Sequence, residues 1–202
     1  MAGSSRNPAR SLIDAGSVPL ADTATCAPYV GWVGDPPTEN MEYEKYWNEL
    51  ESCATAVREE VDPVASLRRI GEAMDRLIGS RMFTFLRFDL ERFDMERLYC
   101  SQPERYPIGA RKPMRRGPWY ERVADRGVAF IASGEAQMRA TFGDYAALAE
   151  MGCTASLCVP VRYRARTLGT MNLNGDEGRY GEREAALAQP FATLAVPAYL
   201  TL

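Results

Sequence analysis

The chain has 202 residues, 46% of them apolar and 25% charged, which is the balance of a globular domain long enough to bury its own core without disulfide or metal staples. A net charge of -3 with scattered basic side chains provides no positive field for nucleic acid, and no apolar run reaches the roughly 18 residues that a membrane span needs. The absence of histidine excludes haem held by imidazole and any Ser/His/Asp or Cys/His relay.

Five cysteines, Cys26, Cys53, Cys100, Cys153 and Cys158, make an odd set without a C-x-x-C pair. That pattern fits neither a disulfide framework nor a zinc ribbon, so a reducing, cytoplasmic setting is expected. The N-terminus lacks the apolar block of a secretory leader. Asp, Glu and Cys show no clustered spacing, so no metal site and no cofactor are expected.

Residues 1–40 are rich in Ala, Ser, Gly, Pro and Thr and show no sustained period, and they are read as an extended arm. Its run "APYVGWVGDPP" carries Tyr29 and Trp32, which favour docking on the rest of the domain or on a twin subunit. The globular domain is expected over 41–202. From Met41 to Val61, Tyr43, Tyr46, Trp47, Leu50, Cys53 and Val57 recur at spacings of three and four, predicting an amphipathic helix. Asp62-Pro63 stops it and opens a second helix to about Ile78, with Asp62 as N-cap and Pro63 in the first turn. Gly79 ends that helix.

The segment "RMFTFLRFDLERFDMERLYCS" reads as a hairpin of strands 81–90 and 94–101 around an acidic turn. Residues 102–117 carry several prolines and glycines and are expected to form an irregular loop. A short helix opens at Pro118, "VAFIAS" is a brief strand, and "YAALAEMG" is another short helix closed by Gly152. Two longer strands follow, within residues 154–174. A final helix runs from about Tyr180 to Leu200, its end blurred by Pro190 and Pro197. Runs of strands flanked by helices predict an α+β domain with an antiparallel sheet, one face covered by the terminal helices.

The segment "LAEMGCTASLCVPVRYRARTLGTMNLN" resembles the signature hairpin of GAF domains: a short helix passes through Gly152 into a strand with a Val159-Pro160-Val161 step, then a tight turn and a strand holding Leu168, Gly169, Asn172 and Leu173. "FTFLRFD", "RLYCSQPERYPIG" and "RGPWYERV" add a likeness to small stand-alone proteobacterial GAF proteins, and the resemblance covers about residues 60–200. It implies a GAF-like fold with a ligand pocket roofed by the 102–151 segment, on the sheet face opposite the terminal helices. Family functions range from binding of cyclic nucleotides, bilins, haem, nitrate and metabolites to a few enzymes.

Strand parity selects the pocket residues, because side chains two apart share a face. Ala155, Leu157, Val159 and Val161 belong against the helices, and Ser156 and Cys158 face the other way. On the return strand Gly169, Met171 and Leu173 face the helices, leaving Leu168, Thr170, Asn172 and Asn174 opposite them. On strand 94–101 the same rule assigns Leu98 and Cys100 to the helices, with Arg97, Tyr99 and Ser101 on the polar face. The covering segment contributes Tyr106, Lys112 and Trp119. These residues form either a small-molecule pocket or the packing of loop on sheet; Arg97 and Lys112 favour the pocket, because a covered cation without an anion is costly.

Two functions follow. One is a sensor module for a small anionic or aromatic metabolite, with Arg97 or Lys112 on its charge, Tyr106 and Trp119 on its plane, and Ser156, Thr170 and Asn172 on its polar edge. Such a module is expected to dimerise through its terminal helices. The alternative is a metabolite enzyme with redox or covalent chemistry at Cys158, which is otherwise a small buried strand residue. A free methionine-R-sulfoxide reductase built on this fold carries its reactive cysteine ahead of the Val-Pro step, where this chain has Leu148, and bilin attachment calls for a Cys-His pair that the chain lacks.

Overall fold

The structure, a computed structural model, describes residues 40–202. Of the expected arm only Asn40 falls among them, opening the first helix; Cys26, Tyr29 and Trp32 lie outside the described residues. Helix α1 (Asn40–Glu59) packs antiparallel on α2 (Pro63–Leu77), and the turn between them is set as the sequence predicts. The Asp62 side chain accepts a hydrogen bond from the Val64 backbone N–H, and Pro63 occupies the first turn, where its missing N–H costs nothing. Glu49 of α1 joins the helices by accepting from both Arg69 and Arg76.

The sheet has six antiparallel strands in the order β3-β2-β1-β6-β5-β4. They are β1 (Met82–Asp89), β2 (Asp94–Cys100), β3 (Arg111–Pro113), β4 (Phe130–Ser133), β5 (Ala155–Tyr163) and β6 (Arg166–Gly175). The back of the sheet is dry: Phe83, Phe85, Leu157, Val159, Met171 and Leu173 are buried against Leu67, Ile70 and Met74 of α2 and against the C-terminal helices. Each such side chain stabilises the fold by roughly 1.5–3 kcal/mol. The expected final helix is two helices, α6 (Glu182–Leu194) and α7 (Val196–Thr201), because Pro197 starts a new first turn after Ala195. Tyr199 of α7 donates from its hydroxyl to the carbonyls of Leu86 and Thr170, tying the C-terminus to β1 and β6.

Gly169 lets those layers close. A Cβ there would stand 1.9 Å from the Leu86 carbonyl oxygen and 2.6 Å from the Tyr199 ring. No other residue fits.

The front of the sheet is covered by the segment between β2 and β5. The 102–117 stretch, expected to be irregular, contains the edge strand β3, whose three residues pair with β2. Helix α3 (Pro118–Tyr120) continues as a π-helical turn (Glu121–Asp125). Helix α4 (Glu135–Thr141), which the sequence reading leaves unassigned, and α5 (Tyr145–Glu150) complete the lid. Among the described residues no helix is long and apolar enough to cross a membrane.

Parity holds on β5 and β6 as far as the bulge at Val161/Arg162, but it fails on β2. A bulge there aligns Phe85 with Tyr99 and Leu86 with Arg97, so Leu98 is the extra residue. Leu98 and Tyr99 therefore both turn to the back, where Tyr99 meets Phe83, and Cys100 moves to the front beside Met82. The expected placement of Tyr99 in front and Cys100 behind is corrected on this ground.

Candidate functional site

Between the sheet front and the lid lies a cavity of about 590 Å³, within the size range of small-molecule sites. Its floor comes from alternate residues of three strands: Thr84 on β1, Ser156 and Cys158 on β5, Asn172 and Asn174 on β6. Its walls are mostly apolar, with Met82, Leu86, Trp119, Phe130, Phe142 and Leu148. The floor amides are fixed by the strands, since Asn172 Nδ2 donates to Thr84 Oγ1 at 3.2 Å and Asn174 Nδ2 to the Met82 carbonyl at 3.2 Å. Both carbonyl ends remain available to a guest.

Cys158 lies on this floor with its sulfur 3.6 Å from Ser156 Oγ. Burial raises its pKa, and Ser156, Trp119 and the more distant Lys112 only partly oppose this. The Trp119 indole N–H is near that sulfur but makes no hydrogen bond of ordinary geometry, and it remains a buried donor without a partner. The thiol is therefore protonated at neutral pH, the state of a packed cysteine rather than of a nucleophile.

One wall is a polar cluster that joins three parts of the lid. Asp144, just before α5, accepts from the Tyr106 hydroxyl and from Lys112 Nζ of β3 at 2.9 Å. Burial pulls the Lys112 ammonium down, to about 8, and the Arg97 guanidinium adds to that pull. Burial also raises Asp144, against the pull of Arg97. Their close contact opposes both shifts and keeps the pair charged near neutrality. About a quarter of each side chain stays accessible, so water in the cavity relieves part of the burial cost.

Six of the ten expected site residues line the cavity together: Tyr106, Lys112, Trp119, Ser156, Cys158 and Asn172. The other four do not. Arg97 is buried behind Tyr106, its guanidinium 3.5 Å from the ring centroid and its Nη1 donating to the Pro107 carbonyl. Tyr99 faces the helices because of the β2 bulge. Ser101 is exposed, and its hydroxyl accepts from the Phe83 N–H, which ends the β1–β2 ladder. Thr170 faces forward but is fully buried beside Leu86 and Pro160 and does not line the cavity.

Sequence reasoning missed Asp144, Arg115 and Arg116 of the lid. Irregular backbone has no period from which to read their direction. Asn174, which parity places on the polar face, proves to be a floor residue as well, and Thr84 was within reach of the same rule, because it stands opposite Asn172. Among the described residues no group of His, Cys, Asp and Glu is placed to hold a metal ion.

A six-stranded antiparallel sheet with helices behind and a lidded cavity in front defines a class of small ligand-binding α+β domains. The family model described as GAF domain matches residues 60–198, and the chain belongs to that family of ligand-binding sensor modules. Solved structures agree. The GAF domain of a phosphoenolpyruvate-protein phosphotransferase from Coxiella burnetii superposes with a TM-score of 0.62 at 14% identity, over 76% of this chain and 92% of that one. A phycocyanobilin-bound GAF domain from a cyanobacterial phytochrome gives 0.60 at 14% identity, over 77% and 94% of the two chains. Free methionine-R-sulfoxide reductase from Neisseria meningitidis, in complex with its substrate, gives 0.55 at 14% identity, over 77% and 88%. At such identities the likeness is one of fold. No curated protein sequence matches the chain.

Proposed function

We propose that the protein is a sensor module that binds a small anionic or aromatic metabolite in the cavity between sheet and lid. The observation that carries this reading is the cavity itself: about 590 Å³, with apolar and aromatic walls and a few fixed polar groups on its floor. Membership in the GAF family supports it, and so does the protonated, packed state of Cys158, which favours binding over chemistry at that thiol. Binding information leaves the domain through the terminal helices. On α1, Tyr43 and Trp47 are 61% and 49% exposed and meet edge to face, an apolar face suited to a second copy of the chain in the cytoplasm.

The test is thermal melting of the full chain against a library of small acids, nucleotides and neutral aromatics. An Ala140→Trp variant adds a large ring at an exposed residue of α4 that lines the cavity, to obstruct it. Melting shifts that appear with wild type and vanish with Ala140→Trp are the expected result. A library with no hit, or hits untouched by that variant, would remove the reading.

A further inference from the structure

The cations that the sequence offers as partners for a ligand's charge are engaged elsewhere. Arg97 lies outside the cavity lining, stacks on Tyr106 and donates from Nη1 to the Pro107 carbonyl, its Nε buried without a partner, and Lys112 is paired with Asp144. Two further cations line the cavity, Arg115 and Arg116. Arg116 lies over the rings of Phe93 and Tyr120, 5.2 and 5.3 Å from their centroids. Arg115 makes neither an ion pair nor a side-chain hydrogen bond among the described residues.

Arg115 nevertheless has a built seat. Its guanidinium lies flat on Gly143, where a Cβ would come within 2.9 Å of the guanidinium carbon and within 3.1 Å of its terminal nitrogens. A side chain at 143 would displace the guanidinium rather than the backbone, so the bare backbone there leaves room for an exposed planar cation with open donors at the cavity rim. The neighbouring Asp144 does not cancel it, because that carboxylate is taken by Lys112 and Tyr106. With three cationic side chains against one carboxylate, the lining favours an anion.

The floor asks for the complementary group. Asn172 and Asn174 each commit one amide N–H, to Thr84 and Met82, leaving a carbonyl acceptor and a second N–H, and the Ser156 hydroxyl meets only a sulfur. A guest hydroxyl, donor and acceptor at once, satisfies such a floor, and Trp119, Phe130 and Phe142 give the cavity aromatic walls for a flat ring. We infer that the cavity takes a hydroxylated aromatic carboxylate of one or two rings, its carboxylate on Arg115 at the rim and its hydroxyl on the Ser156–Asn172–Asn174 floor. The assignment rests on the binding-module reading and names the ligand class for it.

The experiment is calorimetric titration of the full chain with 4-hydroxybenzoate, 6-hydroxy-2-naphthoate and 5-hydroxyindole-3-acetate, each beside its primary amide and its deoxy analogue. At least one acid is expected to bind more tightly than its amide by roughly tenfold or more, the scale of a charge-assisted hydrogen bond. Arg115→Gln should erase that preference, and Arg115→Lys should restore part of it. Gly143→Val, which keeps the charge but evicts it from its seat, should mimic Arg115→Gln. Equal binding of acid and amide, an acid preference that survives Arg115→Gln, or no binding of these acids while other library members bind and are lost in Ala140→Trp, each overturns the assignment and leaves the binding-module reading standing. Silence of every compound in both experiments removes both.

Discussion

Asp144 ties Tyr106 and Lys112 together across the lid, and its removal has a calculable cost. In Asp144→Asn the Lys112 ammonium keeps its place on β3 but loses the carboxylate 2.9 Å away, while Tyr106 keeps an acceptor in the amide oxygen. Breaking a fully buried pair costs about 3–5 kcal/mol, and breaking an exposed one costs at most about 1. With 25% and 26% of the two side chains still accessible, the expected cost is intermediate, about 2 kcal/mol. For a chain of this size that lowers Tm by roughly 4–8 °C. The Asp144 side chain caps no backbone N–H of α5, so a lost cap does not contribute.

The deficit should depend on pH with a definite sign. Lys112 has a folded pKa near 8, below its free value, so the folded state sheds this proton first and the stability penalty of the buried ammonium fades as pH rises through that range. In Asp144→Asn the pKa drops further, and the variant escapes by deprotonating Lys112. Melting by circular dichroism should therefore show the widest gap from wild type near pH 7 and a narrower one at pH 9–10. The double variant Lys112→Met/Asp144→Asn should recover most of the loss, because no charge is left unpaired. A single variant as stable as wild type at pH 7, or a gap that widens with pH, would show that this pair does not hold the lid.

Gly169→Ala should cost about 3 kcal/mol in denaturant unfolding, since its Cβ would meet the Leu86 carbonyl at 1.9 Å and backbone must move; a near-neutral result would refute the close approach of β1 and β6. Tyr199→Phe, which removes a buried hydroxyl shared by two carbonyls, should lose about 1–2 kcal/mol by the same measurement, and an unchanged midpoint would mean that α7 is not pinned there. Cys158→Ala should leave ligand-induced melting shifts within a few-fold of wild type; loss of a measured turnover in that variant would favour the enzyme reading of the thiol. Trp47→Glu on the exposed face of α1 should lower the mass seen by sedimentation at fixed concentration if the terminal helices form the dimer, and an unaltered mass would place the interface elsewhere.

The sequence by itself determined what repeats. Helical spacing on α1 and α2, the Asp62-Pro63 cap and the alternation along β5 and β6 each commit many residues to one face, so the core and the floor residues Ser156, Cys158 and Asn172 could be named in advance. Tertiary structure decided everything that depends on a single insertion or on a meeting of distant segments. One bulged residue in β2 reversed the faces of Tyr99 and Cys100, because a two-residue period carries no memory across an extra residue. Asp144, Arg115 and Gly143 belong to irregular backbone, and only the folded lid brings them against Lys112 and the cavity. Arg97 and Lys112 looked free because charge can be counted along a chain, whereas the ring, carbonyl and carboxylate that occupy them come from elsewhere in it.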